Sequence, residues 1–422
     1  MSYRNNSQLT FDSEQLTVRW EIKKLVDVTE LITCGVAKRP DYVDTGVPFL
    51  SAKNVKNGQV IWDDYKYISE ETHFQLTKNN KPRKGDILYT RVGSFGEAAI
   101  IDDDIEFSIF VSLTLIKTKS EILNSFLKYY LNSNTVKTLA KNSISGSGVG
   151  NLNVGTVRNF LVPVPPLAEQ KRIVAILDEA FEGCDRAIRN TEKNLANARE
   201  IFESYLNAIF TQKGDQWVEK KLDEIAGKVF TGPFGSLLQK SDYISDGIPI
   251  VNPANIEGDK IIPNFNKTIS QDIAIRMSAY ILKHNDVVVG RRGEIGRCAV
   301  VREDQAGWLC GSGSFFIKPF ENVNSIFLAH LLRSLPYRSK LEKLSSGATM
   351  LNLSNQSLSE LILAMPSLDE QNQITSKLDD LRIETQRLET IYRQKLTALK
   401  ELKQSILQKA FTGELTADKE VA

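Results

Sequence analysis

Two stretches of the chain repeat apolar or small residues at alternating steps of three and four. The first runs Ile173, Leu177, Ala180, Cys184, Ile188, Thr191, Leu195, Ala198, Phe202, Tyr205 and Ile209. The second runs Ile374, Leu378, Leu381, Thr385, Leu388, Tyr392, Leu396, Leu399, Leu402, Ile406 and Ala410. Such spacing predicts long helices with one apolar seam, each broken once by a stutter, at Cys184–Ile188 and around Tyr392. Neither stretch holds an internal proline, and each predicted helix is roughly 65 Å long at about 1.5 Å per residue. The rest of the chain has shorter patterns. Runs such as "VPFLSA" from Val47, "DILYT" from Asp86 and "AAIID" from Ala98 read as short strands. They precede a helical stretch, "SEILNSFLKYYLNS" from Ser120, whose counterpart is "NVNSIFLAHLLRSLPYRSKLEKL" from Asn322.

The long helices also start and stop alike. "VPVPPLAEQKRIVAIL" from Val162 and "LAMPSLDEQNQITSKL" from Leu363 are two versions of one helix entrance. Ser367 with Glu370 forms an S-x-x-E capping box, whereas Pro166 in the first copy offers a favourable φ but no side-chain cap. Gly214 and Gly413 follow the last turns, as helix stops do. A long helix with one apolar stripe needs a partner, and the other copy is the nearest one. Because the first helix must deliver the chain to the second domain, where the second helix begins, paired helices would run antiparallel.

The duplication extends through the whole chain. At an offset of 201, "DYVDTGVPFLSAKNVKNGQVI" from Asp41 falls on "DYISDGIPIVNPANIEGDKII" from Asp242. At an offset of 200, "LYTRVGSFGEAAII" from Leu88 falls on "VVGRRGEIGRCAVV" from Val288. Ser145-Gly146 matches Ser346-Gly347, "AIFTQKG" from Ala208 matches "KAFTGEL" from Lys409, and "WEIKKLVDV" from Trp20 resembles "WVEKKLDEI" from Trp217. The predicted organisation is therefore α+β. A first mixed α/β domain (residues 1–164) is followed by a first long helix (165–214), a second domain (215–365), a second long helix (366–415) and a tail (416–422). A repeat of this kind implies an internal pseudo-twofold relation.

Composition narrows the function. The chain has 422 residues, 41% hydrophobic and 25% charged, and a net charge of +1. Those values suit a folded multidomain protein, and any nucleic-acid surface must be local, without an overall basic excess. No apolar run reaches the length of a membrane span, and "MSYRNNSQLTFDSEQLTVRW" lacks a signal pattern, which predicts a cytoplasmic protein with no membrane partner. Cys34, Cys184, Cys298 and Cys310 fit neither a zinc site nor a disulfide frame, and only His73, His284 and His330 are present, so no metal site is expected. There is no P-loop, nucleophile elbow, zinc-protease or EF-hand motif, and "GSGVG" from Gly146 does not join a strand to a helix. The chain reads as a binder with no catalytic residues of its own.

Candidate contact residues lie in three places. The paired hairpins carry Arg91, Gly93, Ser94 and Gly96 in the first copy, and Arg291, Arg292, Gly293, Glu294, Gly296 and Arg297 in the second. Glycines let a tip approach a surface, and arginine recognises phosphate or guanine edges. Polar loops carry Lys53, Asn54 and Lys56 in one copy and Asn252 and Asn255 in the other. A basic stretch, Lys78, Lys81, Arg83 and Lys84, suits phosphate contacts. Each of these also fits an ordinary solvated loop.

Taken together, the paired "PPLAEQKRIVAIL" and "PSLDEQNQITSKL" entrances, the "IFTQKG" and "AFTGEL" helix ends and the duplicated hairpins resemble the specificity subunits of type I restriction–modification systems, over nearly the whole chain. The resemblance implies that each domain is a target recognition domain reading one half of a bipartite, non-palindromic site in double-stranded DNA. It implies that the helices set the spacer and that two methyltransferase subunits dock nearby. Leu167, Glu169, Gln170, Leu368, Glu370 and Gln371 at the helix entrances are candidates for that docking. Restriction subunits would join them. S-adenosylmethionine and ATP would be bound by those partners, leaving no cofactor in this chain. The alternative reading is a coiled-coil adaptor with two protein-binding domains.

Overall fold

The computed structural model describes residues 20–93, 95–144, 150–234, 237–345 and 352–417. The chain divides into two compact units, Met1–Thr191 with Gln394–Ala422, and Glu192–Arg393. The dividing points fall inside the two long helices, Leu167–Gln212 and Leu368–Thr412. Each unit therefore contains one mixed α/β domain, the first half of the helix that leaves it and the last half of the other helix.

In the first unit, strand Glu21–Lys24 pairs antiparallel with Leu161–Val164, the strand that leads into the long helix. A four-stranded antiparallel sheet follows, in the order Thr29–Cys34, Leu113–Thr118, Ile87–Thr90, Ala98–Ile100. A three-stranded sheet has Val47–Leu50 at its centre, antiparallel to Lys66–Ile68 and parallel to Ser108–Ile109. The run "ILYT" at Ile87–Thr90 is buried along its whole length because both its faces are covered. Ile87 and Tyr89 face a core with helix Asn124–Leu131, whereas Leu88 joins Leu50, Phe107 and Leu115 on the other side.

The second unit repeats this plan strand for strand. Val218–Lys221 pairs with Ile362–Met365, and the four-stranded sheet runs Phe230–Thr231, Ser314–Ile317, Val287–Gly290, Cys298–Val300. Val287 and Val289 face one core and Val288 the other, as the two-residue period of a strand requires. The central strand of its three-stranded sheet, Ile248–Val251, is again antiparallel to one neighbour and parallel to the other.

Within each unit the two half-helices run antiparallel. In the first, Lys403 bonds Asp185 at 2.7 Å while Arg172 donates to the Thr416 carbonyl at 3.3 Å. In the second, Arg199 bonds Glu389 at 3.2 Å, and Arg382 lies 4.9 Å over the Phe202 ring. The helix ends then enter the domain cores. Phe411 meets Phe126 and Tyr130 with ring centroids 5.3 and 5.1 Å apart, and Phe210 meets Phe327 at 5.5 Å. Each buried phenylalanine contributes about 1.5–3 kcal/mol. This insertion corrects the predicted seam. Tyr205 and Leu402 are exposed, and Leu206, Phe210, Leu407 and Phe411 are buried in their stead. The heptad pattern holds where helix meets helix, and steps of four take over where the helix meets a domain.

The helix stops also differ from one another. Gly413 takes a left-handed φ of +83°, but in the first helix Lys213 takes that conformation, with φ +44°, and Gly214 does not. Gly214 is needed for a different reason, since a Cβ there would lie 2.6 Å from the Trp217 indole nitrogen. The four cysteines are free thiols, three of them buried. Among the described residues no helix is long and apolar enough to cross a membrane, and no group of side chains is suited to hold a metal ion.

Candidate nucleic-acid interface

The paired hairpins have the same backbone. Gly93 and Gly293 take φ of +78° and +76°, and Gly96 and Gly296 take +87° and +88°. These left-handed values explain the repeated G-x-x-G, because only glycine adopts them without strain. A Cβ at Gly296 would also lie 2.7 Å from Cγ of Arg338. Gly93, Arg292, Gly293 and Glu294 are exposed at the tips, whereas Gly96 and Gly296 are buried at their bases. Ser94 lies outside the described residues.

The arginines that open the hairpins were expected at the tip, and the structure places them inside. Arg91 is 7% exposed and its guanidinium serves the fold. Nε donates to the Leu152 carbonyl at 2.8 Å, Nη1 to the Val111 carbonyl at 3.0 Å and Nη2 to Asn151 Oδ1 at 3.0 Å. Arg291 is 8% exposed and stacks between Phe234 and Phe315, 4.8 and 5.2 Å from their centroids. Burial, with Arg292 beside it, lowers its pKa. Both positions sit where the hairpin strand meets the loop before the last short helix, so their depth comes from a long-range contact.

Beyond that base the tips differ in charge. Glu97 of the first copy pairs with Lys137 at 2.6 Å. Its counterpart is Arg297, which donates to Glu294 from Nε at 2.8 Å, while Arg338, the counterpart of Lys137, lies 3.7 Å from the same carboxylate.

The polar loops also turn inward. Asn54 is 1% exposed. It accepts from the Ser51 amide and donates to the carbonyls of Ile61 and Asp63. Asn255 accepts from the Asn252 amide and donates to the Ile262 carbonyl, so both asparagines tie a loop to the strand behind it. Asparagine supplies a donor and an acceptor in one short side chain, which this bridge requires. Lys53 points outward and pairs with Asp64 at 2.8 Å, holding that carboxylate below its usual pKa. Lys84 is exposed, and Lys81 pairs with Glu106.

At the helix entrances the repeated Glu-Gln has a structural use. Gln170 is fully buried; it accepts from the Leu123 amide at 2.8 Å and donates to the carbonyls of Glu121 and Pro165, both at 2.9 Å. Gln371 accepts from the Asn324 amide at 2.9 Å and donates to the Pro366 carbonyl at 3.0 Å. Neither glutamine faces a partner; each staples its domain to the helix that leaves it. The capping box at Ser367 is half formed. Ser367 Oγ accepts from the Glu370 amide, but the Glu370 carboxylate turns to the Trp217 indole at 2.8 Å. Glu169 is half-buried beside Arg172, 3.9 Å away, and Leu167 and Leu368 remain exposed. Trp217 and the phenylalanines at the helix ends were not singled out as site residues. The matched "FT" pairs at Phe210 and Phe411 were their signal.

A family model described as the type I restriction modification DNA specificity domain matches residues 17–197 and again 214–398. The chain belongs to that family. Curated members resemble it at low identity. It is 26% identical over 294 residues to the type I restriction enzyme EcoBI specificity subunit of Escherichia coli, a match covering 64% of this chain and 61% of that protein. It is 22% identical over 423 residues to the MjaVIII specificity subunit of Methanocaldococcus jannaschii, covering 94% of this chain and 93% of that one. Solved structures share the fold. A chain from a type I R-M system, in work on its assembly and conformational transition, covers 95% of this chain and 99% of its own length, with a TM-score of 0.73 at 20% identity. The HsdS subunit from Thermoanaerobacter tengcongensis covers 95% and 98%, with a TM-score of 0.60 at 19% identity.

Proposed function

We propose that this member of the family is the DNA-reading subunit of a type I restriction–modification complex, each recognition domain reading one half of a bipartite, non-palindromic site. The observation that carries this reading is the double match of one specificity-domain model to the two halves of the chain. The different charges at the two hairpin tips support two different half-sites. In the second copy the outward groups are Arg292, Glu294 and Arg297, and in the first they include Lys53 and Lys84. These side chains are the ones we assign to DNA, leaving Arg91 and Asn54 to the fold. Stiff antiparallel helices suit a ruler, because a flexible linker would let the distance fluctuate, and half-sites on one face of DNA lie about 34 Å apart or a multiple of it. Two methyltransferase subunits would dock near the exposed Leu167 and Leu368, and restriction subunits would join them. Those partners would carry S-adenosylmethionine and ATP and the catalysis, in the cytoplasm.

The test is co-expression with the cognate methyltransferase subunit and mapping of methylated bases. A gapped two-part motif is expected, and absence of any such motif would sink the reading. Exchanging residues 1–164 for another such domain should change one half-site only. Adding a turn to both helices should change the gap.

A further inference from the structure

The second unit contains a cleft of about 190 Å³ between its recognition domain and the long helices. Its polar lining comes from Asp259 and Lys260 on a hairpin turn, Arg302 after strand Cys298–Val300, His330 and Arg333 on helix Ser325–Arg333, and Asp379 and Arg382 on the second long helix. His330 is 1% exposed, yet neither ring nitrogen has a hydrogen-bond partner. Arg382 pairs with Asp259 through Nη1, while its buried Nη2 has no partner among the described residues. Buried donors left without acceptors are costly, about 1–3 kcal/mol each, so two in one cleft call for an occupant that accepts hydrogen bonds.

The first unit fills the equivalent place with other side chains. At the repeat offset, His330 replaces Tyr129 and Asp379 replaces Asp178. The Tyr129 hydroxyl donates to Asp178 Oδ1 at 2.6 Å, and Phe181, in the place of Arg382, packs on its ring at 5.4 Å. The positions of Lys260, Arg302 and Arg333 are held there by Gln59, Asp102 and Asn132. The second unit thus substitutes a short imidazole for a phenol that closes the gap, and places cations at four positions where the first has none. The first unit's own cation, Lys128 in the place of Ala329, lies 4.4 Å over the Tyr129 ring. Carboxylates offset part of this charge: Asp259 pairs with Arg382, Glu203 also faces Arg382, and Asp304 lies 3.7 Å from Arg302. Burial together with Asp380 disfavours the charged form of Asp379, so Lys260 and Arg333 are the cations left without a carboxylate partner among the described residues.

We propose that this cleft binds a terminal phosphate, as inorganic phosphate or a phosphomonoester, with Arg302, Arg333 and Arg382 supplying charge and His330 donating a ring N–H. Phosphate presents several charged acceptors in a compact shape, which matches arginines converging from three elements. Occupancy would tie the recognition domain to the long helix, since Arg302, His330 and Arg333 belong to one and Arg382 to the other.

The experiment is calorimetric titration and thermal unfolding of the full chain with inorganic phosphate and, separately, adenosine monophosphate, at constant ionic strength against chloride. Saturable binding near one equivalent with a raised Tm is expected. A response to both ligands makes phosphate itself the determinant, and a response to the nucleotide alone makes the monoester the ligand. His330→Tyr imports the closure of the first unit and should abolish binding while the protein stays folded. Arg302→Gln, at a mostly exposed side chain, should weaken binding about tenfold, the loss expected for one charged hydrogen bond. No saturable binding of either ligand, leaving the cleft to water, or undiminished binding in His330→Tyr, would overturn the proposal.

Discussion

The two units share a backbone almost strand for strand and differ in what fills its gaps. Where the fold needs a particular conformation or bond, both copies use the same residue type. The left-handed hairpin glycines are matched, as are the glutamines that join domain to helix and the phenylalanines at the helix ends. Where the fold only needs space filled, the copies diverge. Arg91 makes three hydrogen bonds and Arg291 stacks between two rings; Tyr129 meets Asp178, and His330 packs near the Phe202 ring with no hydrogen-bond partner. A duplicated fold thus keeps its joints and varies its fillings, and the variation lets one chain carry two unlike heads.

The helix-end phenylalanines give the sharpest way to break that comparison. Phe210→Ala and Phe411→Ala should each cost about 3–5 kcal/mol, as truncation of a buried aromatic does. Hydrogen exchange should show the loss in the second unit for Phe210 and in the first for Phe411. The reverse distribution would contradict the packing of each helix end into the other copy's domain.

Next come the stapling glutamines. Gln170→Ala leaves the Leu123 amide without its acceptor and should cost about 1–3 kcal/mol, and Gln371→Ala should cost no more, since it loses two bonds where Gln170 loses three. Denaturant unfolding of both variants measures the difference. A larger loss for Gln371 would show that the joints are not equivalent.

The units should also respond differently to acid. Burial, with Arg333 adding repulsion, pushes the His330 imidazole down to about 3, against about 6.5 when unfolded. The unfolded chain then binds the extra proton between those values. Stability is full above pH 6.5 and falls by up to about 1.4 kcal/mol per unit as the pH drops toward 3. Unfolding followed by probes in each unit should place this loss in the second, and His330→Tyr should remove it.

The smallest expected contrast is between the buried arginines. Arg91→Met should destabilise by about 1–2 kcal/mol through its lost hydrogen bonds, and Arg291→Met by less, because a methionine also packs between aromatic rings. Equal effects in chemical unfolding would erase the distinction.

The sequence by itself determined the duplication, the two long helices, their antiparallel sense and the glycine-bearing hairpins. Those features are written locally, in the periodicity of apolar residues, in entrance motifs and in residues with restricted φ, and a repeat makes each signal visible twice. Only the tertiary structure decided which polar residues face outward. Arg91, Asn54, Gln170 and Gln371 look like surface recognition groups in the sequence, yet Arg91 donates to the distant Val111 carbonyl, Gln170 and Gln371 accept from the distant Leu123 and Asn324 amides, and Asn54 donates to the Asp63 carbonyl in its own loop. Hydrogen bonding between remote segments leaves no periodic trace. The same holds for the seam: Tyr205 and Leu402 fit the heptad, but Phe210 and Phe411 are buried by domains that the helical pattern does not encode. The cleft around His330 belongs to this class too, because its charges come from four separate segments that meet only when the second unit folds.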